Sequence, residues 1–182
     1  LYALAYQFLA GQLNHARGMS AVLAPTANSY KRLVPGYEAP VYIGWAQINR
    51  SALVRLPRYT QGRNKSVRLE LRCPDPSANP YLAFAAMLAA GLDGVDRDLS
   101  CPEPLNNLNI WNLTEEERVD KGIGALPGSL AEAMREFEAN QVIQDALGES
   151  ICEVFSRAKW TEVDAYRTHV TDWEITRYLE TA

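Results

Sequence analysis

Val67-Arg68-Leu69-Glu70-Leu71-Arg72, followed at once by Cys73-Pro74-Asp75-Pro76-Ser77-Ala78-Asn79-Pro80, decides how the rest of the chain is read. Val67, Leu69 and Leu71 alternate with Arg68, Glu70 and Arg72, the period of a strand with one apolar and one polar face. On such a strand the three polar side chains attach to one side, roughly 7 Å apart in succession. An acid between two arginines has two readings: a neutralised ladder, or a metal ligand flanked by anion binders. The alternation alone favours the ladder. Pro74 and Pro76 stop the strand. Asn79-Pro80 then starts a helix, with Asn79 as cap and Pro80 in the first turn.

Working outward, the stretch from Lys31 to Arg72 carries Lys31, Arg32, Arg50, Arg55, Arg58, Arg63, Lys65, Arg68 and Arg72 against only Glu38 and Glu70. That is +7 in a chain whose formal net charge is −4. Arginine, which holds carboxylate and phosphate by a planar two-pronged fork, dominates the set. A charge run is usually a solvated face. Here the arginines are interleaved with strand-forming apolar residues, which favours a lined pocket. Val41 to Ala46 and Ala52 to Leu56 read as further strands, and Arg58 to Ser66 as a polar connection. In an uninterrupted strand Arg50 and Arg55 would face opposite sides. Either Arg50 sits on the turn before the strand or a bulge re-aims one of them; Gln47-Ile48-Asn49 is not strand-like and favours the turn.

The remaining sequence is helical. Tyr2 to Leu23 reads as one helix loosened at Gly11 and Gly18, ended by Pro25. Asn28 caps a short helix through Leu33, and Pro35-Gly36 breaks it. Tyr81 to Leu92 is apolar all round and reads as a buried helix. Asp96 to Pro104 is a loop. Residues 105–128 are irregular apart from a turn at Thr114 to Arg118. Ser129 opens a helix to Ala139, with Glu132 completing a capping box. Gln141 to Leu147, Glu149 to about His169 and Thr171 to Leu179 follow as helices. The expected class is α+β: antiparallel strands of a partial, barrel-like sheet packed with helices, with a helical C-terminal region.

The 182 residues suit one unit, without linker or repeat, over 1–182. The chain starts Leu1-Tyr2-Ala3 without Met and reads as a piece of a longer protein. It has no apolar run of about 18 residues to span a membrane and no signal-peptide pattern at its start. Cys73, Cys101 and Cys152 are odd in number and lack CxxC spacing, so they read as reduced thiols in a cytoplasmic protein. His15 and His169 are too few for a histidine-rich metal site.

Asn28-Ser29-Tyr30-Lys31-Arg32-Leu33-Val34-Pro35-Gly36-Tyr37-Glu38-Ala39-Pro40, then Asn49-Arg50-Ser51-Ala52 and Arg55, then Glu70-Leu71-Arg72-Cys73-Pro74-Asp75-Pro76-Ser77-Ala78-Asn79-Pro80-Tyr81, resemble the catalytic domain of type I glutamine synthetase. The resemblance covers essentially the whole chain and is strongest from His15 to Gly94. It implies ATP-dependent ligation of ammonia to glutamate through a γ-glutamyl phosphate. By position it implies that Arg32 and Arg72 hold glutamate and that Arg50 touches both glutamate and the transferring phosphoryl group. It implies further that Arg55, Lys65 and Arg68 serve ATP, and that Glu70 is a ligand of Mg²⁺ or Mn²⁺. Glu38 would sit on a closing flap and take a proton from ammonium. On this resemblance the ladder reading of Glu70 gives way to the metal ligand.

The resemblance implies an assembly too: a homo-oligomer, usually a dodecamer, with active sites between subunits and a C-terminal tail reaching across. The family's other metal ligands and its small N-terminal domain precede the segment matched here, so this chain alone should carry site residues without catalysing. Trp111, in Asn109-Ile110-Trp111-Asn112-Leu113, stands where some bacterial members carry a regulatory tyrosine that is adenylylated, which argues against that regulation. Two rival readings remain. One is a γ-glutamyl ligase using a polyamine or other amine, against which Glu38 counts. The other is a non-catalytic structural relative, against which the retained Arg32, Arg50, Arg55 and Arg72 count. Nucleic-acid binding lacks an aromatic stacking motif and has an unfavourable net charge.

Overall fold

Capping chemistry sets most of the helix boundaries. The computed structural model describes residues 2–35, 39–49, 52–57, 68–106, 108 and 110–180, without the side chain of Trp111. In chain order these form α1 (Ala3–Asn14), α2 (Ala16–Leu23), a 3-10 turn (Ala27–Lys31), β1 (Tyr42–Ala46), β2 (Ala52–Arg55), β3 (Glu70–Leu71) and α3 (Pro80–Asp96). A second 3-10 turn (Ile110–Asn112), α4 (Glu115–Asp120), α5 (Leu130–Glu138), α6 (Gln141–Leu147), α7 (Glu149–Thr168) and α8 (Asp172–Tyr178) follow. Asn79 caps α3 as expected, its side-chain oxygen accepting from the Tyr81 and Leu82 amides. Thr114 with Glu117, and Thr171 with Glu174, form reciprocal capping boxes. Ser129 caps α5, but Glu132 reaches back to the Gly128 amide, one residue before the cap, and to Arg17. The capping box expected there is thus only half made.

The N-terminal helix departs from expectation. It divides at His15 (φ −99°, ψ 8°), not at Gly11 or Gly18. The imidazole is buried, with Nε2 2.8 Å from an Asp93 oxygen and Nδ1 2.9 Å from the Asn140 amide nitrogen. A buried polar ring needs such partners, and the break sits at the residue that finds them. The two glycines are contact points instead. A Cβ at Gly11 would lie 2.0 Å from the Ala90 carbonyl oxygen, and one at Gly94 would lie 2.3 Å from that of Gln7. α1 and α3 therefore pack backbone to backbone, and a methyl group at either glycine would force them apart. Thr26, not Asn28, caps the following 3-10 turn.

α3 is not buried all round. Its small side carries Ala83, Ala86, Ala90, Gly91 and Gly94, all buried, while Tyr81, Phe84, Leu88 and Leu92 are exposed. Close packing against α1 selects the small residues and leaves the bulky face without cover among the described residues.

The described strands form one sheet in the order β1-β2-β3. β2 and β3 are antiparallel, as expected, pairing Val54 with Leu71 and Arg55 with Glu70. β1 and β2 are parallel, a correction to the all-antiparallel expectation. The cause lies after Ala46. The Gln47 amide donates to the Asn106 side chain, and the Asn49 side chain donates to the carbonyls of Leu105 and Leu108. These bonds lead the chain off the sheet, so β2 does not return as a hairpin. The far edge of β1 is occupied by residues 124–126, through a Tyr42–Ala125 bridge and Ile43 and Leu126 backbone bonds. β3 has two residues rather than six; Val67 lies outside the described residues.

One large core joins α1, α2, α3, α5 and the inner face of the sheet, with Leu9, Met19, Leu23, Leu53, Met134 and Phe137 fully buried. Phe155 of α7 meets Phe137 edge to face at 5.4 Å. Arg17 ties α2 to α5 through Glu132 (2.6 Å) and Glu136 (2.7 Å).

The half-buried Asp93 gives a pH test. Burial pushes its carboxyl up, but hydrogen bonds from His15 and Arg97 more than offset this and hold it below its ordinary value of 3.8. A carboxyl with a depressed folded-state pKa adds stability above its unfolded value, and that stability is lost as pH falls through the folded value. The urea midpoint should therefore drop as pH falls below the ordinary carboxylate range. In Asp93→Asn the midpoint should already be lower at pH 7 and fall less steeply. Parallel curves for the two proteins would remove Asp93 from the account.

Candidate active site

The polar face of β2 and β3 gathers the described site residues. Leu69 and Leu71 pack on the core, so by the strand period Arg68, Glu70 and Arg72 face the other way. Arg55 joins them because it lies directly opposite Glu70. Its Nη2 and Nε both approach Glu70 Oε2, at 2.7 and 3.3 Å. Arg72 Nε lies 4.0 Å from Glu70 Oε1. Arg72 is further fixed by Nη1 on the Ala52 carbonyl (3.2 Å) and by its own amide on the Leu53 carbonyl (3.0 Å).

Arg32 approaches from another element. It follows the 3-10 turn, and its Nη2 donates to the Cys73 carbonyl at 2.6 Å and more weakly to that of Pro74 at 3.5 Å. Cys73 is the residue after Arg72, so Arg32 grips the backbone directly after β3. Arg32 Nε is buried and has no hydrogen-bond partner among the described residues. A buried donor on a cation left unpaired costs more than a typical hydrogen bond contributes, so such a group calls for an acceptor.

The Arg55–Glu70 pair is about one-third exposed on both sides. Pairs of this kind contribute about 0–1 kcal/mol, so a ligand anion can replace Glu70 on Arg55 at small cost. Glu70 thus makes the ladder that the alternation favoured. As a metal ligand, Glu70 is one member of a set whose other members the resemblance places outside the matched segment. No three His, Cys, Asp or Glu side chains come together as a metal site among the described residues. One carboxylate between two guanidiniums does not by itself fit Mg²⁺ or Mn²⁺, which prefer several oxygen ligands. Glu38, Arg50 and Lys65 lie outside the described residues, and Arg68 is exposed.

Two polar groups were not singled out by sequence reasoning. One is the His15–Asp93–Asn140 network, which no local pattern announces. The other is Asp75, whose Oδ1 accepts from the Ser77 amide (2.8 Å) and hydroxyl (2.6 Å). Burial pushes its carboxyl up, but hydrogen bonding from Ser77 and Ser29 and the charge of Arg32 hold it below the usual carboxylate range. The Asp-Pro-Ser spacing, typical of a side-chain-closed turn, was the available signal.

The family described as glutamine synthetase, catalytic domain, matches residues 1–178. Among curated relatives, the glutamine synthetase of Thermotoga maritima is 54% identical over 172 residues, covering 94% of this chain and 38% of its own length. That of Methanocaldococcus jannaschii is 52% identical over 172 residues, covering 94% of this chain and 37% of its own length. The chain thus spans well under half the length of these relatives. Among solved structures, a complex of GmaS with ADP superposes with a TM-score of 0.81 at 37% identity, covering 99% of this chain and 40% of that one. Among the described residues no helix is long and apolar enough to cross a membrane.

The burial of Cys73, directly under this site, can be read chemically. It is 3% exposed, and burial pushes its thiol up to about 12. Thiolate is the reactive form. Iodoacetamide at pH 8 should therefore label the half-buried Cys101 well before Cys73, which should react only on unfolding. Peptide mass mapping that finds Cys73 labelled first would contradict the packing at the end of β3.

Proposed function

Since this chain belongs to the glutamine synthetase catalytic-domain family, we propose that the whole protein ligates ammonia to the side-chain carboxylate of glutamate, using ATP. The observation that carries this reading is the cluster of Arg32, Arg55 and Arg72 around the end of β3, in a chain that matches the family over residues 1–178. The γ-carboxylate attacks the terminal phosphorus of ATP and ADP leaves. Ammonia then attacks the acyl carbon, phosphate leaves, and one proton is lost from nitrogen. The first step brings several anions together and depends on fixed positive charge where negative charge accumulates. Guanidinium groups keep their protons, so they act as clamps rather than bases.

In this reading Arg32 and Arg72 hold glutamate, and the unpaired Nε of Arg32 supports the assignment by offering a donor to an incoming carboxylate. Arg55, Arg68 and Lys65 serve the nucleotide, and Arg50 bridges the two substrates. The ADP complex of GmaS, which shares this fold, supports a nucleotide site in the same architecture. Glu70 would be one ligand of Mg²⁺ or Mn²⁺, which would add its positive charge to that of the guanidinium groups. Glu38 takes the proton from nitrogen on a flap that keeps water from the acyl phosphate. The whole protein is a cytoplasmic homo-oligomer in which α8 contributes to contacts between subunits. α8 buries none of its residues and, with Leu179 just after it, leaves Trp173 and Ile175 exposed, an apolar surface that suits an interface.

General-base assistance is typically worth about 100- to 10,000-fold in rate. Glu38→Gln in the full-length enzyme should reduce glutamine formation by that order, with a smaller loss in ATP binding. An ammonia rate within a few-fold of the parent would remove Glu38 as proton acceptor. A parent that prefers a polyamine to ammonia would make this a ligase for another amine. Light scattering on the same preparation should give a large homo-oligomer; a stable full-length monomer would defeat the assembly.

A further inference from the structure

Arg32 and Arg72 come from segments about 40 residues apart in sequence, joined through backbone near Cys73. Their separation is set by whatever holds the turn after β3 against the 3-10 turn. Arg32 makes one side of that hold, donating across to the carbonyls of Cys73 and Pro74. Asp75 makes the other side. Its amide donates at 2.7 Å to the carbonyl of Leu23, the last residue of α2. Its carboxylate closes the turn on Ser77, Oδ1 accepting from the Ser77 amide and hydroxyl. The Ala78 amide adds a bond to the Asp75 carbonyl at 3.0 Å.

We infer that Asp75 is a positioning residue: with Arg32 it forms a clasp, in which the turn that Asp75 closes holds the Arg32 guanidinium at the end of β3. The cation of one segment holds the carbonyls of the other, while Asp75 ties that turn to the end of α2 through its amide and closes it on Ser77 through its carboxylate. Arg32 alone does not suffice. Its bonds end on a short loop between two prolines, and those carbonyls stay in place only if the loop is tied to something rigid. The Asp75–Leu23 and Asp75–Ser77 bonds supply that tie, and Cys73 packs beneath it. On the other side the Arg72 amide is pinned to β2 through Leu53. Each link from β2 to the 3-10 turn is therefore hydrogen-bonded. Asp75 itself need touch no substrate. The identity of the ligand, glutamate, rests on the proposed function; the clasp does not.

The test uses the full-length protein with Asp75→Ala, Asp75→Asn and the milder Ser77→Ala. Displacing a clamp by about 1 Å can cost on the order of 100-fold. Asp75→Ala should raise the glutamate KM by about 10- to 100-fold while the ATP KM stays within about 2-fold. Asp75→Asn keeps an oxygen for the Ser77 donors and should restore most of the loss, and Ser77→Ala should shift the glutamate KM the same way by less. Cys73 should be alkylated faster in Asp75→Ala than in the parent. If the two KM values rise together, or if Cys73 opens without any change in the glutamate KM, Asp75 is structural only. If Cys73 labels at the parent rate in Asp75→Ala and Ser77→Ala, the clasp is wrong whatever the reaction. A parent that forms no γ-glutamyl product defeats the functional reading instead, and the labelling still judges the clasp.

Discussion

The register of β3 against β2 is the constraint on which the site depends. Val54 faces Leu71 and Arg55 faces Glu70. Side chains alternate along a strand, so a slip of one residue exchanges the faces. Glu70 and its neighbouring arginines would then point at Leu9, Met19 and Phe137, and two leucines would point outward. Burying those charges without partners costs several kcal/mol each, far more than the ion pairs among them contribute. The apolar side of a two-residue strand thus fixes the direction of the charged side. The helices matter to the site mainly because they build the core that enforces this register.

Much of this was legible in the sequence. The alternation at Val67 to Arg72 located the polar face, and Asn79-Pro80 located the start of α3. What was missed depended on contacts distant in sequence. The break at His15 follows from partners on α3 and before α6, which no window around His15 contains. The parallel pairing of β1 and β2 follows from Gln47 and Asn49 binding the 105–108 loop. Tyr81 to Leu92 read as buried because composition reports how apolar a helix is, not which side a neighbour covers. Gly11 looked like a weak point and, with Gly94, is where α1 and α3 pack backbone to backbone. Of the proposed site residues, Arg32, Arg55, Glu70 and Arg72 are placed together by the fold, whereas Glu38, Arg50 and Lys65 rest on the resemblance alone.

The site combines a stiff support with a loosely paired surface. Arg72 is held by the Ala52 and Leu53 carbonyls of β2, and Arg32 by the carbonyls of the turn after β3. These bonds fix where the cations are. The ion pairs on the solvent side, Arg55–Glu70 and the longer Arg72–Glu70 contact, are partly exposed and weak. Anions can exchange with Glu70 while the scaffold of backbone bonds stays as it is. Preorganised charge of this kind needs little rearrangement when a ligand arrives.

The unpaired Nε of Arg32 bears on selectivity. A molecule that fills the space beside Arg32 with an oxygen completes the guanidinium. One of the same shape with a methyl group or an amide nitrogen there leaves a charged donor buried and unsatisfied. Sites built around a polar group reject analogues lacking its partner far more strongly than apolar pockets reject a missing methylene, by about 10⁴ against about 10². Discrimination at this position would then come less from the attraction of the right ligand than from the penalty imposed on the wrong one.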